Sequence, residues 1–189
     1  MKKLVSIIAA ILVFGVANAM VDPSDNNEAS HQVAITISDL ALLDIESTGT
    51  SNDITLSPSA PDEAGEGMSF DGVSDNSLWL NYSSIVSMDK TRSITATLSG
   101  DLPGGTSLSV AAADPAASGK GNKGKATNNA QVLGKSGVDV VKGIGSCYTG
   151  NGNNSGVNLN YTLDMNEENY DELYQGSYNV TVTYTITDL

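Results

Sequence analysis

Proton transfer near neutral pH needs a histidine or a shifted carboxyl, covalent catalysis needs a nucleophile beside a base, and zinc needs clustered histidines or cysteines. The 189-residue chain holds one histidine, His31, and one cysteine, Cys147. It contains no Gly-x-Ser-x-Gly elbow and no second histidine at ligand spacing. Its 22 acidic residues are numerous enough for a carboxylate pair of the glycosidase kind, but the sequence around them singles out no two. No catalytic residue is assigned, and the expectation is a protein that is not an enzyme.

Two patterns suit binding better. Asp164-x-Asn166-x-Glu168 places alternate oxygen ligands as a calcium loop does, making these three residues weak metal candidates. The match then stops, because the sixth position is Asn169 instead of glycine and the twelfth is Gln175 instead of glutamate. The bland reading is a solvated acidic loop. The second pattern is the lone Trp79 beside Tyr82, a candidate ligand platform for carbohydrate, against the commoner use of such a tryptophan as core. No cofactor is implied beyond calcium. Cys147 cannot close an internal bridge; it is a small buried hydrophobe, an intermolecular link or a reactive thiol.

Charge narrows the partners. The formal net charge is −13, which argues against nucleic acid, whose affinity rests on Lys and Arg neutralising phosphates. The chain opens Met-Lys-Lys, runs apolar over 4–16 and reaches Ala17-Asn18-Ala19, the parts of a secretory signal peptide. That apolar run is shorter than the roughly 20 residues a membrane helix needs. Cleavage after Ala19 would leave seven basic against 22 acidic residues. A secreted or cell-surface protein with no transmembrane segment is expected, with residues 20–30 a flexible, turn-rich leader.

These residues must be positioned by strands. Ser177–Thr187 alternates for eleven residues, with Tyr178, Val180, Val182, Tyr184 and Ile186 on one face and only Ser, Asn and Thr on the other. Period two over this length is a β-strand with one dry and one wet face. The same alternation predicts strands over 31–38, 78–86, 92–99, 106–112 and 157–164. Shorter strands are expected at 54–57, 131–133 and 138–141. Asp39–Glu46 is too uniformly apolar for periodicity to decide. The strands 92–99 and 106–112, joined by Gly100–Gly105, read as a hairpin. Pro115–Asn129, with Lys120, Lys123 and Lys125 among glycines, reads as a mobile basic loop, and Gly143–Gly156 as a glycine-rich turn region. Eight or nine short strands and no long helix give an all-β fold: a single antiparallel β-sandwich over 31–189, immunoglobulin-like or jelly-roll-like.

The two terminal strands carry a resemblance. Val33, Ile35 and Ile37 alternate near one end, and the strand ending at Thr187 follows Gly176, fourteenth from the other end. In this the chain resembles small exported subunits of bacterial surface fibres, whose immunoglobulin-like folds are incomplete. The resemblance implies a structural or adhesive subunit that associates with copies of itself by strand donation. Val33, Ile35 and Ile37 would then be the donated face, and Val180, Val182, Tyr184 and Ile186 the accepting groove. Position 188 is Asp where that family has an aromatic residue, and the family's cysteine pair is missing. The alternative is that His31–Ser38 is the first strand of a self-contained sandwich. Gly-Ile-Gly-Ser-Cys-Tyr-Thr-Gly-Asn-Gly (143–152) also resembles segments of uncharacterised exported bacterial proteins.

Overall fold

A computed structural model describes residues 28–189, so the signal-like segment 1–19 and most of the leader lie outside the described residues. The chain divides into two units, one ending at Thr36 and the other spanning Ile37–Leu189. Described by itself, 28–36 contains neither strand nor helix.

The second unit is an all-β sandwich of two antiparallel sheets. Its strands are β1 (Leu40–Ser47), β2 (Ser74–Ile85), β3 (Arg92–Ser99), β4 (Thr106–Ala112), β5 (Lys120–Gly121), β6 (Lys125–Ala126), β7 (Gln131–Val132), β8 (Val138–Ile144), β9 (Cys147–Tyr148), β10 (Val157–Met165) and β11 (Thr181–Asp188). One sheet runs β5-β9-β2-β10-β4-β7, with β1 also paired to β2; the other runs β11-β3-β8-β6. Between them lies a single core. Leu80, Val157, Leu159 and Val110 from the first sheet meet Ile94, Ala96, Val140, Val141 and Ile144 from the second. Alternation placed Leu80, Val110, Val157, Leu159, Ile94 and Ala96 correctly because each of their strands has one face on that core. It did not place the adjacent Val140 and Val141, or Ile144, on a β8 whose register with β3 shifts. Asp39–Glu46, left open above, resolves as strand β1.

Several expectations are corrected. His31–Ser38 is not a strand, and Ile54–Ser57 joins no ladder. Alternation shapes a segment that can pair, but a strand exists only where a neighbour takes its backbone groups. β3 and β4 do not form a hairpin: β3 pairs with β11 and β8, while β4 pairs with β10 and β7. Both carry apolar sets that must point inward, so Gly100–Gly105 carries the chain across the core from one sheet to the other. The basic segment is no free loop either, since Lys120–Gly121 joins one sheet and Lys125–Ala126 the other. Lys123 Nζ donates to the carbonyls of Ala116 and Ser118, fastening this crossing. The count of eleven strands exceeds the expected eight or nine because β5, β6 and β9 are two-residue rungs, too short for periodicity to reveal, whereas β7 falls where a short strand was expected.

The two sheets are also bonded through a pair of phenols: Tyr161 of β10 and Tyr184 of β11 share a hydrogen bond of 2.6 Å. Burial pushes both hydroxyls above their ordinary value near 10. For Tyr184 the neighbouring Tyr161 adds to the effect of burial; for Tyr161 the bond to Tyr184 opposes it. Tyr82, whose hydroxyl donates to the Lys123 carbonyl at 2.6 Å, is raised by burial and secondarily by Cys147. A phenol whose folded pKa exceeds its unfolded one stabilises the fold below about pH 10 and loses that contribution as pH rises further. Stability is therefore expected to be insensitive to these tyrosines up to about pH 10. Above that it should fall by up to about 1.4 kcal/mol per pH unit for each of them. Chemical denaturation followed at stepped pH checks this. Phenolate absorbance from these three should appear only with unfolding.

Candidate functional site

β1 and β11 are edge strands, each paired on one side only, and they lie near each other at the same side of the sandwich. Their inward side chains differ from those of every longer strand: neither contains a fully buried residue. Leu43 and Ile45 of β1, and Val182, Tyr184 and Ile186 of β11, pack against the core yet stay half-exposed. So do Ile54 and Leu56, in a segment that alternates like a strand but lies in no ladder.

One end of this side is closed by Arg92, buried at 3% exposure. Its Nη2 bonds both oxygens of Asp39 at 2.7 Å, its Nε bonds Asp188 at 2.7 Å, and its Nη1 reaches the Leu40 and Ile85 carbonyls and Ser84 Oγ. Desolvation opposes the guanidinium charge, but the bonds to Asp39 and Asp188 outweigh it. One side chain thus clasps the start of β1, the end of β11 and β2. Strand parity was the available signal: Arg92 shares its face with Ile94, Ala96 and Leu98.

Toward the other end the sheets part around a cleft of about 1040 Å³. Its floor is core, including Leu78, Leu108, Tyr161 and Leu163, and its flanks are Ile54 and Leu56 on one side and Val180 and Val182 on the other. Tyr170, Tyr174 and Tyr178 stand at its rim. The start of β11, Thr181 and Val182, borders it, and β11 is paired only with β3; an unpaired edge is a template for a further strand.

The candidate accepting residues are thus gathered, with Val180 and Val182 on the cleft and Tyr184 and Ile186 toward the Arg92 end. Val182 and Tyr184 were expected to be buried; they are half-buried, because an edge strand beside an open cleft lacks cover on one side. The strand also starts at Thr181 instead of Ser177, leaving Tyr178 outside it and exposed. Sequence reasoning missed the 54–56 flank and the tyrosine rim, since neither lies in a ladder that periodicity could mark. Val33, Ile35 and Ile37 are 66%, 82% and 78% exposed. Three large apolar side chains bared in alternation are unusual on a water-facing segment.

The other candidates separate. Asn166 caps a short 3₁₀ helix over Glu167–Glu172, its Oδ1 accepting from the Glu168 amide at 3.2 Å and its Nδ2 donating to Asn169 Oδ1 at 2.8 Å. That spends the carboxamide on the backbone. Among the described residues no group of three or more His, Cys, Asp or Glu is placed to hold a metal. Trp79 is not core but half-buried on the outer face of β2, opposite Glu46 and Asn158, while Tyr82 points inward. Cys147 is buried, and burial pushes its thiol up despite the opposing effect of Lys123, which suits the reading as a small hydrophobe. No helix among the described residues is long and apolar enough to cross a membrane.

Comparison with protein-family models, with curated proteins and with solved structures finds no match to the chain.

Proposed function

We propose that this chain is an exported, non-enzymatic structural or adhesive subunit of a cell-surface assembly, in which the segment His31–Ser38 of one copy fills the cleft of another. One observation carries the reading: the inward faces of the two edge strands are left half-covered across a cleft with a core floor. The exposed alternating set Val33, Ile35 and Ile37 supports it as occupant. The segment 32–38 carries no charge, so entering the cleft strands no ion. At about 3.4 Å per residue, Val33 to Ile37 spans roughly 14 Å along the free edge of β11. Burying three such side chains is worth roughly 5–9 kcal/mol before the cost of association is subtracted. The backbone groups of segment and edge satisfy one another, as in strand addition by any extended peptide.

Ile35→Asp tests the reading. The exposed position makes the substitution harmless to the subunit's own stability, whereas a charge carried into an apolar cleft forbids entry. Light scattering across a concentration series should show association in the parent protein and monomers only in the variant. Equal association in both would refute the assignment of this segment.

A further inference from the structure

On the outer face of the larger sheet, away from the core, the chain builds a second concavity. Thr149, fully buried, takes over the ladder beyond β9: its amide donates to the Tyr82 carbonyl at 3.0 Å, and its Oγ1 accepts from the Tyr82 amide at 3.0 Å. The chain then turns at Gly150, φ +98°, and folds over the outer side of β2 before re-entering at Gly156. A Cβ at Gly156 would collide with the Leu80 carbonyl and with Asn81 Oδ1, so this close crossing demands glycine. The start of the loop and the β1–β2 surface border an open depression of about 610 Å³, lined by Leu42, Asp44, Asn81, Ser83 and Tyr148 among others.

Three features of the hollow, Tyr148, Leu42 and Asp44, are complementary to one chemistry, and Asn81 holds the loop that borders it. The Tyr148 ring, 52% exposed, stands on one side and the Leu42 side chain, 59% exposed, on another, together an apolar surface in water. Asp44 lies opposite Asn81 in the β1–β2 register and presents an exposed carboxylate. Asn81, 5% exposed, donates from Nδ2 to the Gly152 carbonyl at 2.9 Å. Its Oδ1 is the one buried side-chain polar atom without a hydrogen-bond partner among the described residues. Farther along the same face of β2 stands the half-buried Trp79, four residues from Ser83, which pairs with Tyr148; the separation is about 14 Å of strand.

We infer that this hollow is a binding site for a neutral saccharide, with Tyr148 stacking on a sugar ring and the exposed Asp44 carboxylate taking its hydroxyls. A pyranose offers an apolar C–H face and a rim of hydroxyls that both donate and accept. A tyrosine ring beside an exposed carboxylate answers both requirements. Asp44 and the neighbouring Glu46 disfavour acidic sugars.

The test is saturation-transfer NMR on the protein with maltohexaose, cellohexaose, laminarihexaose and chitohexaose, and with an oligogalacturonate as the acidic control. At least one neutral probe should bind with Tyr148 ring protons in contact. Tyr148→Ala should weaken it about tenfold or more and Asp44→Asn several-fold, both at unchanged circular dichroism. Binding should persist in Ile35→Asp, because the hollow lies on the face opposite the core; its fate is thereby separate from that of the assembly. No binding by any neutral probe at millimolar concentration, binding of the acidic control alone, or an affinity indifferent to Tyr148→Ala would each overturn the inference.

Discussion

A chain that begins at Asp39 is expected to fold, to give the β-rich circular dichroism of the parent, and to remain monomeric at concentrations where the parent associates. Among the described residues, every fully buried apolar side chain lies at Leu78 or beyond, and the first strand begins at Leu40. Removal of 31–38 therefore takes no ladder and no core side chain from the sandwich. Retaining Asp39 keeps the clasp on Arg92 whole. The melting temperature should move by only a few degrees, while association disappears. Had His31–Ser38 been an internal strand, the same truncation would have exposed a row of core residues and caused unfolding or aggregation.

Arg92→Met should be the most damaging substitution at the cleft's closed end. The side chain is replaced at similar volume, but the Leu40 and Ile85 carbonyls and the Ser84 hydroxyl lose their shared donor in a buried place. Asp39 and Asp188 are largely exposed and return to water at little cost, so the ion pairs account for the smaller share. The loss should be about 2–4 kcal/mol, set mainly by unsatisfied acceptors. For a protein of this size that is a fall of roughly 10 °C in melting temperature. Arg92→Lys should recover only part, since a single ammonium cannot reproduce the guanidinium fork. A change of under about 0.5 kcal/mol in denaturant unfolding would show that the clasp is incidental.

Where a strand has one face on the core, its sequence carried the answer. Val157, Leu159, Tyr161 and Leu163 are all buried as their alternation requires, as are Ile94, Ala96 and Leu98. What alternation does not encode is the identity of the neighbour. The segment 92–112 looks like a hairpin by turn chemistry, yet its arms belong to opposite sheets, because pairing is decided by β8, β10 and β11 far along the chain. For the same reason His31–Ser38 and Ser177–Thr187 looked alike in sequence although only the second found a ladder. The cleft was half legible: Val180 and Val182 came from the pattern, whereas Ile54 and Leu56 depend on a gap between sheets that no local signal marks. Arg92 was readable from parity as a charge on an inward face. The glycine-rich 143–156 was visible as unusual composition, but its role in roofing the outer face depends on Gly156 crossing the Leu80 carbonyl.

The most direct measurement is to add the peptide His31–Ser38 in trans to the protein beginning at Asp39 and follow both by NMR. Saturable one-to-one binding is predicted, with the largest shifts at Ile54, Leu56, Val180 and Val182 and new amide protection along Thr181–Asp188. Stability should rise by about 2.7 kcal/mol when peptide exceeds its dissociation constant a hundredfold. A peptide with Ile35 replaced by Asp should do none of this. Absence of binding at millimolar peptide, or shifts confined to a surface other than the cleft, would contradict the proposal of strand donation.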